Sequence, residues 1–182
     1  MGHSTSLPGF GAPAVGFEQP FEMLEACHER VNRTLDLLRR LMAHIDTNGH
    51  DTSSRSAAAD VLRYFDIAAP LHHEDEELHV FPALAGRTDV KLRAAIAALQ
   101  GDHERMAMYW AQLRGALVLW RDDAAAPAID GATRRLAADF IGGYAAHIAT
   151  EEELVYPAAR ACFDDAGLAR IGAEMQARRH AG

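Results

Sequence analysis

The stretch His72-His73-Glu74-Asp75-Glu76-Glu77-Leu78-His79-Val80-Phe81-Pro82 decides the fold, because it returns in altered form further along the chain. The second copy is His147-Ile148-Ala149-Thr150-Glu151-Glu152-Glu153-Leu154-Val155-Tyr156-Pro157. A constant offset of 75 residues relates Glu76 to Glu151, Glu77 to Glu152, Phe81 to Tyr156 and Pro82 to Pro157. Upstream, the same offset carries Cys27-His28-Glu29-Arg30 onto Asp102-His103-Glu104-Arg105. Each half therefore presents a single histidine and then a His-x-x-x-Glu. An internal repeat of this length constrains the architecture more strongly than any local signal.

Outward from these motifs, the apolar residues step by three or four, the period of a helical face. Pro20 suits the first position of a helix, and Phe21, Leu24, His28, Val31, Leu35, Leu38, Met42 and Ile45 form its stripe as far as Asn48-Gly49. A second helix is predicted from near Ser54 or Ser56 to about Pro82–Gly86, with Val61, Phe65, Ala68, His72, Glu76 and Val80 inward and a kink at Pro70. Thr88 is the expected N-cap of a third helix, with Asp89 in its first turn. Its stripe is Leu92, Ile96, Leu99, His103, Met106, Trp110, Leu113, Leu117 and Trp120. Asp130 should cap a fourth, bearing Leu136, Phe140, Tyr144, His147, Glu151 and Leu154. Leu24 and Leu99, Val31 and Met106, and Phe65 and Phe140 also obey the offset, so each half reads as a helical hairpin. The predicted fold is all-α, an up-down-up-down four-helix bundle built from two repeated hairpins, with a short C-terminal helix. Residues 1–19 are expected to be a flexible arm, 20–162 the bundle, and 163–182 a C-terminal helix packing on it.

The totals fit this reading. A chain of 182 residues, 49% hydrophobic and 24% charged, is long enough to bury a single core. A net charge of −8 argues against nucleic-acid or anionic-membrane partners, both of which call for a basic surface. Two widely spaced cysteines give neither a disulfide framework nor a thiolate metal site. No apolar run is long enough to span a bilayer and no signal peptide is recognisable, so a cytoplasmic location is expected.

In an up-down-up-down bundle, His28, His72, Glu76, His103, His147 and Glu151 lie at similar depths from one end, roughly 12–22 Å at the helical rise per residue. All six also fall on inward stripes. Taken one at a time, a core histidine is more often packing than a ligand. Four imidazoles and two carboxylates in one buried layer, with no lysine or arginine on those stripes, are another matter: they require a counter-charge. Metal cations supply it, and imidazole with carboxylate suits iron, manganese or zinc. Glu77, Glu152 and Glu153 read by default as a solvated acidic face, with alternative or outer ligands as the other possibility. His73, matched by Ile148 in the repeat, reads as an outer or surface residue, His79 as surface, and Tyr144 and Cys27 as packing.

These motifs resemble the hemerythrin-like, or HHE cation-binding, domain over roughly residues 20–162. The resemblance rests on His28, on His72-x-x-x-Glu76-Glu77 leading into Phe81-Pro82, on His103, and on His147-x-x-x-Glu151-Glu152 leading into Tyr156-Pro157. It implies two iron ions, oxygen- and carboxylate-bridged, with Glu76 and Glu151 bridging and His28, His72, His103 and His147 as terminal ligands. Family members differ by one residue at the second carboxylate, which leaves Glu152 as the alternative to Glu151. The oxygen-carrying members place a further histidine four residues after the third-helix histidine, where this chain has Ala107. That departure points away from reversible oxygen storage. The expected role is a non-haem di-iron protein that reacts with or senses O2, NO or peroxide, in stress response or iron homeostasis. A peroxide-disproportionating or iron-oxidising enzyme, and a metal-stabilised interaction module, are the alternatives.

Overall fold

A computed structural model describes residues 16–180, which form five helices and, among the described residues, no strand. Residues 1–15 of the expected arm lie outside the described residues. We number the helices α1 (Pro20–Asn48), α2 (residues 52–83), α3 (Val90–Asp122), α4 (residues 131–160) and α5 (Asp165–His180). α1 packs on α2, α2 on α3, and α3 on α4. No described helix is long and apolar enough to cross a membrane.

Short polar side chains set the helix ends. Gly49, at φ 74°, stops α1 in a backbone conformation that other residues rarely adopt, and its N–H bonds to the Ile45 carbonyl at 2.9 Å. Asp51 and Ser54 form a reciprocal capping box, each side chain accepting from the other's backbone N–H at 2.8 Å. That box starts α2 at Thr52, earlier than the serines suggested. Asp89, not Thr88, caps α3, because its carboxylate accepts from the Leu92 N–H at 3.1 Å. Asp130 caps α4 as expected, accepting from Thr133 at 2.7 Å.

Neither α2 nor α4 is α-helical throughout. Three wide π-turns interrupt them, at Tyr64–Ala68, Glu76–Val80 and Glu151–Val155. Each is closed by the residue that precedes a proline. Ala69 N–H bonds to Tyr64 O, Phe81 to Glu76 O, and Tyr156 to Glu151 O, ahead of Pro70, Pro82 and Pro157. A proline ring in mid-helix clashes with the carbonyl four residues back. Widening the turn by one residue relieves that clash without breaking the helix. The extra residue at Tyr64–Ala68 shifts the buried stripe of α2, so that Ala69 rather than Ala68 faces the core.

The apolar core is in two pieces. One contains Val31, Leu35, Phe65, Met106, Phe140 and Ile148; the other contains Phe21, Leu24, Val80, Leu99, Val155 and Tyr156. On α1, α2 and α3 the candidate ligands fall between the residues of these two clusters, and on α4 Glu151 does so while His147 sits at the edge of the first cluster beside Ile148. A polar layer therefore crosses the bundle like a waist.

α5 closes the second cluster with Ile171 and Met175 and packs on α1 and on the middle of α2. A Cβ on Gly172 would meet the Phe17 carbonyl oxygen at 1.9 Å, so only glycine allows α5 this close to the segment that leads into α1. From the end of α5, Arg178 and Arg179 reach the fully buried carboxylate of Asp75 at 2.6 and 2.7 Å. Arg178 also donates to Nε2 of His79 at 2.8 Å, which makes His79 a largely covered packing residue rather than a surface one.

Candidate metal centre

All six candidate residues are buried and converge: His28 from α1, His72 and Glu76 from α2, His103 from α3, and His147 and Glu151 from α4. His72 with Glu76, and His147 with Glu151, are each one helical turn apart on the same face. The six form two overlapping groups of four. In one group, single ligand atoms of His28, His72, Glu76 and Glu151 all lie within 4.8 Å of each other. In the other, Glu76, His103, His147 and Glu151 do the same. The two carboxylates are common to both.

The chemistry of the donors fits cations. Of the buried side-chain nitrogen and oxygen atoms left without a hydrogen-bond partner among the described residues, all but one (His50 Nδ1) belong to this layer. They are His72 Nδ1, Glu76 Oε2, His103 Nε2, His147 Nε2 and both oxygens of Glu151. Buried atoms of this kind are costly unless something pairs with them. His147 Nε2 lies 3.0 Å from Glu151 Oε1, and His103 Nε2 lies 3.3 Å from Glu76 Oε2, without hydrogen-bonding geometry. The Nε2 atoms of His28 and His72 approach to 3.0 Å. Lone pairs crowded in this way suit a shared cation.

The outward nitrogens are held by carboxylates. His28 Nδ1 lies 2.8 Å from Glu152 Oε1, and His103 Nδ1 lies 3.0 Å from Glu77 Oε1. A carboxylate can only accept, so each Nδ1 is the donor and each Nε2 is left to face the centre. These two pairs are images of one another under the repeat, with the acid of each half serving the histidine of the other. Glu77 and Glu152 are therefore not simply a solvated face, as their default reading had it; Glu153 is exposed. His147 Nδ1 has Asp102 at 3.5 Å, while the repeat places Cys27 opposite Asp102 and His72 Nδ1 has no partner.

Tyr156 is the residue that sequence reasoning missed. Its ring stacks on His28 with centroids 5.6 Å apart. Its hydroxyl donates to Glu76 Oε1 and lies 3.2 Å from His28 Nε2. Burial holds this phenol well above its ordinary pKa, so it stays protonated. Phe81, its counterpart, stacks on His103 at 5.7 Å with no polar group to offer. The Phe81/Tyr156 mismatch in the repeat was the available signal. Tyr144 packs against Phe140 and Phe65, as expected of a core residue.

Without a cation the layer stores protons. Burial and the nearby Glu151 charge push Glu76 up to about 7. Burial opposes charging His103, but the carboxylates of Glu151, Glu76 and Glu77 outweigh it and raise the imidazole to about 10. His28 is raised on the same balance, chiefly by Glu151. Burial also works against the charge on Glu151, but the surrounding His103, His147 and His28 hold it well below the usual carboxylate range. His72 and His73 are held neutral, first by burial and then by neighbouring imidazoles.

A group that keeps its proton in the fold after the unfolded chain has lost it destabilises the fold as pH rises. For His103 that window runs from the ordinary histidine value of 6.5 to about 10. His72 and His73 have the opposite sign, but only below 6.5, where the unfolded chain still binds the proton. The metal-free protein should therefore melt at progressively lower temperature between pH 6.5 and 10. Cations must displace these protons, so the metal-loaded protein should lose less. Melting curves of both forms across that range check the prediction.

A helical bundle with four imidazoles and two carboxylates buried in overlapping clusters defines a cation-binding bundle protein. The model of the hemerythrin HHE cation-binding domain matches residues 19–159, and the chain belongs to that family. A protein from Haemophilus influenzae described as uncharacterized is 33% identical to it over 163 residues, covering 90% of this chain and 91% of the relative.

Proposed function

We propose that this chain is a non-haem di-iron protein of the hemerythrin-like type, whose centre reacts with or senses dioxygen, nitric oxide or peroxide. The observation that carries the reading is the pair of four-residue clusters sharing Glu76 and Glu151. Two groups of donors with common carboxylates suit two cations rather than one. His28 and His72 would hold one iron and His103 and His147 the other, with Glu76 and Glu151 available to both. Glu151 is preferred to Glu152 because it is fully buried in the layer, whereas Glu152 orients His28 from outside. Imidazole and carboxylate donors also admit zinc or manganese. The packing of consecutive helices across short connections supports the up-down-up-down arrangement.

When bound, iron supplies the redox change and the exchangeable position that a small ligand needs. The residues do the rest. Glu77 and Glu152 fix the tautomer and direction of His103 and His28. Apolar clusters above and below the layer keep bulk water out. Tyr156 carries a single proton at its hydroxyl beside Glu76 and His28, and it could donate that proton's hydrogen bond to an entering ligand only by giving up its bond to Glu76.

The test is metal analysis of freshly purified protein, with an ultraviolet–visible spectrum of the same sample. About two irons per chain with near-ultraviolet charge-transfer bands that respond to nitric oxide or peroxide is the expected result. Little iron even after anaerobic reconstitution would overturn the reading.

A further inference from the structure

The two halves of the repeat differ at several positions bordering the centre, among them Cys27 against Asp102, His73 against Ile148, and Phe81 against Tyr156. His73 is the imidazole among these three, and the reading above gives it no task. Consecutive helical residues are turned by about 100°, so His72 and His73 leave α2 in different directions. Glu76, four residues from one and three from the other, lies between those directions. His72 turns toward His28. His73 turns the other way: its ring lies 4.1 Å from the ring of His103, at an interplanar angle of 14°, and 6.1 Å from that of His147. One nitrogen from each of His73, His103 and His147 falls within 4.8 Å of the other two. These three imidazoles form a third donor group, and it overlaps only one of the four-residue clusters.

We propose that His73 is a third imidazole ligand to the ion held by His103 and His147, which makes the two metal positions unlike. The proposal rests on the di-iron reading above. One position then has three imidazoles and the shared carboxylates. The other has two imidazoles, the same carboxylates and the Tyr156 hydroxyl. Ile148, the repeat partner of His73, is buried and has no donor atom, so the second position gains no equivalent ligand. The less saturated ion, beside Tyr156, is the one left to take an exogenous ligand.

The experiment is anaerobic titration of the full chain with ferrous iron, read by competition with a chromophoric chelator, alongside Mössbauer spectra of isotopically enriched samples. The wild type should bind two ions in unequal environments. His73→Phe keeps a ring to stack on His103 but has no donor. It should bind the first ion as the wild type does and the second about tenfold or more weakly, at least the loss seen for outer partners of metal ligands. His73→Glu, which loses the ring but restores a donor atom, should recover most of that loss. If His73→Phe takes up two ions with wild-type affinities and spectrum, or His73→Glu is no better than His73→Phe, the ligand role is overturned while the di-iron reading stands. If the wild type itself binds no second ion, the di-iron reading falls and this proposal falls with it.

Discussion

Glu151→Gln is expected to reduce iron content from about two ions per chain to well below one while leaving the helical content intact. The size of the effect follows from the sharing of Glu151 between both four-residue clusters. Removing its charge takes a donor from each ion at once. It also removes the neighbour that helps hold His103 and His28 in their raised, proton-bearing state. Loss of an outer-sphere partner alone costs roughly 10–100-fold in metal affinity, and a shared ligand should exceed that at both ions. His28→Ala provides the contrast, because His28 belongs to one cluster only and one ion should survive. Glutamine keeps the side-chain volume, and the apolar clusters on either side of the layer are untouched, so circular dichroism should match the wild type. Metal analysis after anaerobic reconstitution of both variants decides the matter. Near-normal iron in Glu151→Gln would show that Glu151 does not bridge.

Asp75→Ala is expected to lower the unfolding free energy of the metal-free chain by about 3–5 kcal/mol, the usual cost of breaking a buried ion pair by removing one member. The Asp75 side chain is fully buried and accepts from Arg178 and Arg179, whose side chains are about one-fifth exposed. Alanine would leave two largely covered guanidinium groups without the carboxylate they share. These arginines are at the last turn of α5, so the damage should appear first as release of that helix. Denaturant unfolding measures the loss, and limited proteolysis should cut near the C-terminal end before the bundle opens. A change under 1 kcal/mol would mean that Ile171 and Met175 hold α5 without the ion pairs.

Much of this molecule was legible in the chain. The offset repeat located the bundle helices, the cap at Asp130 lies where it was expected, and the six inward-facing candidates meet in one layer. What stayed hidden depended on contacts between elements. Glu77 is one residue off the stripe that carries Glu76, and a helical face cannot show that it reaches His103 on another helix. Its image, Glu152 with His28, is hidden for the same reason. Asp75 looked like one acid among several, because its two arginines lie a hundred residues away on α5. Tyr156 looked like a variant of Phe81 because the hydroxyl has meaning only once its distance to Glu76 is known. The shift from Ala68 to Ala69 escaped because a regular helical period has no place for an extra residue.

That extra residue matters most beside the site. Residues four apart share a face in an ordinary helix, while a residue five further along has rotated well away from it. His147 and Glu151 obey the first rule, yet Tyr156, five residues beyond Glu151, still faces the same centre. The wide turn between them absorbs one residue and resets the phase, and Pro157 is what demands the wide turn. Pro82 does the same for Phe81 over His103. Two prolines outside the candidate donor set thus act as frame-shift marks in the helical code, determining which aromatic ring closes each end of the centre.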